Sequence, residues 1–287
     1  MSGPIQLVYD ARAEEPLTPY WESTSGTLVW ADASSGTVCT FCPESQQAQV
    51  CEVGWRITAV LPGGEGRTLV VCDEAVMQLR TADNALSELC RFGDLAPPCA
   101  AAIDPAGRLL LASADDAGRS MLALIDSDLA PRRTTPPLPI GGAMCFSADG
   151  RTLFALSAGE LEVRAFDYHT ESGVLSRPRA ACRIAEGEGL PRGMAVDAAG
   201  GLWIAHWGGD RVSRWDPAQE ALTFVAWVPV SQVAGCAFGG AEMKDLYIIT
   251  GRTGLGGRAL EAQPFAGALF RAETDQTGAP LSVFSGA

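Results

Sequence analysis

Asp104-Pro105-Ala106-Gly107-Arg108-Leu109-Leu110-Leu111 is the stretch that decides the fold. It joins a tight turn, with Asp first and Gly fourth, to a short apolar run. The same unit returns as Ser147-Ala148-Asp149-Gly150-Arg151-Thr152-Leu153-Phe154 and as Asp197-Ala198-Ala199-Gly200-Gly201-Leu202-Trp203-Ile204. Looser copies are Ser25-Gly26-Thr27-Leu28-Val29-Trp30, Gly66-Arg67-Thr68-Leu69-Val70-Val71 and Met243-Lys244-Asp245-Leu246-Tyr247-Ile248-Ile249. The turns fall near positions 26, 66, 107, 150, 200 and 245. Steps of about 40–50 residues match the length of a four-stranded propeller blade. Six units therefore predict an all-β chain folded as a six-bladed β-propeller. One blade buries neither face by itself, whereas blades stacked around an axis cover both. No low-complexity linker interrupts the series, so residues 1–287 are expected to form one domain.

Composition agrees. Of 287 residues, 47% are apolar and 19% charged, which supplies a packed core and argues against disorder. Gly 32 and Pro 18 suit many turns between short strands, and helical signals are few because Pro or Gly breaks the Ala-rich stretches. The formal charge of −13 comes without any basic block, which excludes nucleic acid and anionic membrane surfaces as expected partners. The segment Met1–Asp10 has neither a basic nor an apolar export region, and no apolar run is long enough to span a bilayer. Nine cysteines, an odd number, then read as reduced thiols in a cytoplasmic protein.

Several segments are similar to those of the regucalcin/gluconolactonase family. Pro191-Arg192-Gly193-Met194-Ala195-Val196-Asp197, followed by Gly201-Leu202-Trp203-Ile204-Ala205-His206-Trp207-Gly208-Gly209, resembles its PDGMAVD, GGLWVA and WGG signatures. Gly235-Cys236-Ala237-Phe238-Gly239-Gly240 with Leu246-Tyr247-Ile248-Ile249-Thr250 looks like its CAFGG and LYVTT segments. Gln263-Pro264-Phe265-Ala266-Gly267-Ala268-Leu269-Phe270-Arg271 looks like its QPxAGGLFR ending, and Phe166-Asp167-Tyr168 like its AFDY segment. The likeness runs in order from about Tyr9 to Pro280.

The resemblance implies a lactonase: one divalent cation on the propeller axis, held by a Glu, an Asn and an Asp, polarising the carbonyl of a sugar lactone. This sequence departs at each of those places. The Glu motif aligns on Pro16-Leu17-Thr18-Pro19-Tyr20-Trp21, which puts Leu17 at the ligand position. The Asn motif falls on Gly141-Gly142-Ala143 and the Asp motif on Pro191-Arg192-Gly193, so Gly142 and Arg192 replace the other two. The family's substrate-side Arg and Asn align with Pro97 and Cys99. Leu and Gly offer no side-chain oxygen, and Arg is a cationic donor, so no metal is expected at that position. A loop shift bringing Glu14 or Glu15 inward is the alternative that would restore a ligand.

Arg192 is the expected catalytic or anion-clamping residue, pointing into the axial pocket to meet a carboxylate or an oxyanion. The competing reading turns it outward against Glu186 or Glu188. Leu17, Cys99, Gly142, His206 and Trp207 are the expected substrate-binding positions, with Trp21 and Trp203 as further apolar walls or as blade core. Cys39-Thr40-Phe41-Cys42 lacks the second pair of a zinc ribbon and reads as strand. Cys99 or Cys145 would need a base such as His206 to act as a nucleophile, and His169 lies in a turn. Asp32, Asp104, Asp149, Asp197 and Asp216 read as caps of turn amides. Gly251–Gly257 lacks the context of a phosphate loop. The expectation is a diverged lactonase-family propeller acting on a small cyclic ester or a carboxylated metabolite, without the family's cation. The alternatives are a non-catalytic binder of such molecules and a metal lactonase with relocated ligands.

Overall fold

A computed structural model describes residues 4–114, 120–134, 140–156 and 160–286. Among these residues the strands form six four-stranded antiparallel sheets, arranged as the blades of a propeller. The inner strands of blades one to six are Pro16–Glu22, Ile57–Gly64, Pro98–Ile103, Met144–Phe146, Leu190–Val196 and Val233–Gly239. In blades one to five the chain runs outward from the inner strand through the blade and returns by a loop to the next inner strand. All six inner strands therefore run the same way along the axis. Their starts gather at one end of it, called here the near end, and their finishes at the far end. Inner strands of neighbouring blades touch in order, and that of blade six touches that of blade one, which closes the ring.

Blade six takes its outer strand from the front of the chain. Gln6–Tyr9 pairs with Leu269–Glu273, with Gln6 opposite Arg271 and Leu7 opposite Phe270. This pairing ties both ends of the sequence into one sheet and completes blade six as a four-stranded sheet.

Six apolar clusters fill the six gaps between neighbouring blades. Leu110, Leu122, Leu153 and Phe166 join blades three and four, while Trp203, Val212, Phe238 and Leu246 join blades five and six. Trp30 and Tyr247 bridge blades one and six, and Trp21 stacks on Tyr247 with ring centres 5.4 Å apart. Both faces of each blade are thus buried, which is why the middle strands read as continuous apolar runs rather than alternating ones.

The repeated turns form as the spacing predicts. The amides of Gly107, Gly150 and Gly200 donate to the carbonyls of Asp104, Ser147 and Asp197 at 2.9, 2.8 and 2.9 Å. These glycines hold φ of 79°, 69° and 86°, a region costly for other residues. Asp104 Oδ1 accepts from the amides of Ala106 and Arg108, and Asp197 Oδ1 from Gly201. The sixth unit differs, turning through Gly240–Lys244 with Met243 at φ 54°. The 252–266 loop also contains one short helix, Gly257–Ala262, which the scarcity of helical signals did not anticipate. Among the described residues no helix is long and apolar enough to cross a membrane.

Candidate functional site

The ring encloses an axial cavity of about 920 Å³. At its near end the inner strands are irregular. In blade one Leu17 pairs with Ala31 but Tyr20 pairs with Val29, so one extra residue is inserted. The same happens between Ile57 and Ala59, Pro98 and Ala100, Pro191 and Met194, and Val233 and Gly235. A β-bulge bends its strand and re-aims the extra side chain. Here the bulges turn Thr18, Thr58, Cys99, Arg192 and Ala234 onto the wall of one cavity. Thr18 adopts φ 44°, an unusual value for a β-branched residue, and its hydroxyl accepts from the Val60 amide at 2.8 Å. Blade four has only the short inner strand Met144–Phe146, preceded by Gly141–Ala143.

Arg192 sits on the blade-five bulge. Gly193 beside it lies against blade six so closely that a Cβ would stand 2.6 Å from the Ala234 carbonyl oxygen. The Arg192 side chain lines the cavity, neither in bulk solvent nor against Glu186 or Glu188. Its guanidinium lies over the Trp207 ring, 4.1 Å from the centroid, and donates to Glu15 Oε1 at 3.0 Å. Both partners are about three-quarters shielded from solvent. The stacking contributes about 0.5–2 kcal/mol and fixes the plane of the guanidinium. Glu188 is taken instead by Arg211 at 3.1 Å.

Glu15 is positioned from behind. Asp32 accepts the amides of Glu14 and Glu15 at 2.7 and 3.1 Å. The Glu14 carbonyl in turn accepts from the Arg252 amide and from the amide and hydroxyl of Thr253. The Asp32 carboxylate thus serves Glu14, Glu15 and, at 2.9 Å, the Ser34 hydroxyl, rather than capping the amides of its own turn as the sequence suggested. Nothing local in the sequence pointed to this, because Glu15 and Glu14 lie 17 and 18 residues away.

Leu17, Cys99, Gly142, Arg192 and Trp207 all line this cavity. His206 is not among the lining residues and is wholly buried in blade five. Successive strand residues point to opposite faces, so a strand that sends Trp207 to the cavity sends His206 away from it. His206 Nδ1 lies 2.8 Å from the Glu188 carbonyl oxygen and must donate to it. Nε2 then accepts from the Ser213 hydroxyl at 2.6 Å, which itself accepts from Trp215 Nε1. Burial holds the imidazole pKa below its ordinary value.

Cys99 has no base. Its thiol donates to the carbonyls of Ala112 and Ile140 at 3.4 and 3.5 Å, and burial raises its pKa. The side chain is exposed by area yet faces a cavity, so accessibility and a poorly solvating wall coexist. Cys145 also lines the cavity, and burial pushes its pKa up strongly. Cys39 and Cys42 lie three apart on the strand Thr37–Cys42, hence on opposite faces, and both are free. His169 ends the strand Glu162–His169, exposed, with Nε2 3.3 Å from the Ser176 hydroxyl.

Further polar groups line the same cavity. Arg56, at the start of the blade-two inner strand, has no hydrogen-bond or ion-pair partner among the described residues. Asp73 also reaches the wall, as does Glu160, which pairs with Arg164 at 3.0 Å. Among the described residues no three His, Cys, Asp or Glu side chains come together as a metal cluster.

The profile of the SMP-30/Gluconolactonase/LRE-like region matches residues 16–252. Regucalcin of Xenopus laevis is 26% identical over 267 residues, covering 88% of this chain and 89% of that protein. A calcium-binding regucalcin of Agrobacterium tumefaciens superposes with a TM-score of 0.87 at 18% identity, over 98% of this chain and 97% of the other. A gluconolactonase of Xanthomonas campestris gives a TM-score of 0.76 at 20% identity, over 94% and 89%.

Proposed function

The chain belongs to the SMP-30/gluconolactonase/LRE-like family, and we propose that within it this protein acts on a small cyclic ester or carboxylated metabolite through Arg192 rather than through a divalent cation. The observation that carries this reading is the guanidinium of Arg192, stacked on Trp207 and lining the axial cavity. It stands at the position where the resemblance puts an acidic metal ligand.

The donor set does not fit the family's cation. Leu17 and Gly142 bring no side-chain oxygen, and Arg192 brings a positive charge. Glu15, the carboxylate that lines the cavity beside Arg192, is engaged by it at 3.0 Å. In the proposed reaction the substrate carbonyl meets the free N–H groups of Arg192. Water attacks the carbonyl carbon, and Glu15 takes its proton. The negative charge that grows on the carbonyl oxygen is met by a donor whose orientation is already fixed, which is where such a donor contributes most. The carbonyl re-forms as the ring C–O bond breaks, and the ring oxygen leaves with the proton that Glu15 took from the water. Leu17 and Trp207 supply an apolar wall beside the reacting group.

The test is hydrolysis of a panel of aldonolactones and other lactones, with chelator and again with added calcium, zinc or manganese, bound metal being counted in the same sample. Turnover is expected to ignore the chelator and to fall by roughly 10²–10³ in Arg192→Gln. Turnover that needs added metal and survives Arg192→Gln would overturn the reading. Binding of carboxylates that depends on Arg192, with no turnover, would make the protein a non-catalytic binder built on the same site.

A further inference from the structure

The segment after the last strand does not leave the propeller. Thr274 donates its amide to the Lys244 carbonyl, and Gly278 donates to Met243 at 2.8 Å, both on blade six. The Thr277 carbonyl accepts from Ala198, and Ala279 donates to Val196 at 3.0 Å, both on blade five. Five residues later Phe284 donates its amide to the Pro62 carbonyl at 3.0 Å, on blade two. Its ring is 4% exposed, in the cluster between blades two and three. Ser285 donates to the Gly107 carbonyl at 2.9 Å, on blade three. Gly107 admits this contact because a Cβ there would stand 2.9 Å from Ser285.

Blades five and two are three places apart in a ring of six, so they face each other across the axis. A chain fixed to Val196 on one side and to Pro62 on the other has to cross that axis between Ala279 and Phe284. The reach agrees. Neighbouring inner strands approach within 8 Å between Cα atoms, so opposite ones stand about twice that apart. Five extended residues span roughly 17 Å. The crossing residues Ala279, Pro280, Leu281 and Ser282 line the cavity together with Pro62, Pro105 and Asp149 from the far end.

We propose that Pro280–Ser282 form the floor of the ligand cavity, with Leu281 setting the length of ligand that Arg192 can hold. Ligand then enters and leaves only past Arg192 and Trp207, and a long substituent on the substrate ends against Leu281. The length-setting role rests on the reading that ligand binds in the axial cavity, whereas closure of the far end does not.

Two measurements keep these apart. Cys145 lines the cavity and is only partly buried, so its alkylation by a maleimide, followed by mass spectrometry, reports access without any ligand. In the full chain carrying Phe284→Asp, which puts a charge into the apolar anchor, the Cys145 thiol is expected to react about tenfold faster, with Cys42 on the blade exterior unchanged. Phe284→Ala is the milder second variant if the first does not fold. An unchanged rate at Cys145 in a folded variant would overturn the floor. In turnover, Leu281→Trp is expected to raise KM about tenfold for lactones with a long alkyl substituent and leave unsubstituted ones alone. An equal effect on both would overturn the length-setting role. A wild-type protein that opens no lactone would defeat the proposed function but leave the alkylation result to decide the floor.

Discussion

The two ends of the axial cavity are made by the same six inner strands yet are built on opposite principles. At the far end each strand runs into a tight turn. Asp104, Ser147 and Asp197 open three of these turns, Gly107, Gly150 and Gly200 close them, and the 274–286 segment lies across. At the near end five of the six inner strands carry a bulge, and the side chains on the bulges meet partners from other blades. Arg192 of blade five finds Glu15, which Asp32 of blade one positions. The far end is a repeated local solution that stabilises the ring. The near end is a set of single long-range solutions that position chemistry, as loops and bulges on a rigid scaffold commonly do.

The largest expected difference between the ends is in stability. Asp197 is fully buried and accepts from Gly201, from Trp203 Nε1 at 2.8 Å and from Arg214 Nε at 2.7 Å. Asp197→Ala leaves a partly buried guanidinium and a buried indole N–H without their acceptor. It is expected to cost about 3–5 kcal/mol in denaturant unfolding. Arg192→Gln at the near end is expected to cost no more than about 1–2 kcal/mol, the loss of one stacked ion pair that still keeps about a quarter of its surface in solvent. Equal losses would erase the distinction between a structural and a chemical end.

The next effect sharpens the comparison at the near end alone. Leu17→Glu combined with Gly142→Asn and Arg192→Asp restores oxygen donors at all three wall positions. Calorimetry with calcium or manganese is expected to detect stoichiometric binding in this variant, with Kd in the range of about 10⁻⁵–10⁻³ M. A Cβ at position 142 would stand 3.2 Å from Leu156 Cβ, so that substitution requires a small shift of Leu156. Absence of binding in a folded triple variant would mean that the near-end backbone no longer has the metal-holding geometry.

The smallest effect lies behind the near-end wall, at His206 in blade five, opposite Pro191. Burial depresses its folded-state pKa below the ordinary 6.5. The stabilisation is therefore fully present above pH 6.5 and declines as pH falls from there toward the folded value, because the unfolded imidazole takes up its proton first. Unfolding free energy measured from pH 7.5 to 5 is expected to fall with a slope approaching one proton, and His206→Gln is expected to remove that slope. An unchanged slope would assign the acid sensitivity to other groups.

Much of the far end was legible in the sequence. The repeated turns and their spacing pointed to six blades, because turn type and strand length depend on residues adjacent in the chain. The near end was legible only in part. Leu17, Gly142 and Arg192 were placed on the cavity wall through the resemblance to the family, and Cys99 and Trp207 came with them. His206 was misplaced, although strand alternation separates it from its neighbour Trp207. The bulges had no signature, because an extra residue becomes visible only against the partner strand.

By itself, then, the sequence determined the architecture: six apolar units at blade spacing, Gly where the turns need positive φ, and an arginine where the resemblance expects an acid. Only the tertiary structure decided what that arginine meets and where the cavity ends. Glu15 reaches Arg192 across 177 positions, and Ser285 reaches Gly107 across 178. Contacts at such separation are set by closure of the ring, which brings blade one beside blade six and draws the 274–286 segment across the axis. No local pattern records them, because none of the residues involved needs its distant partner in order to form its own strand or turn.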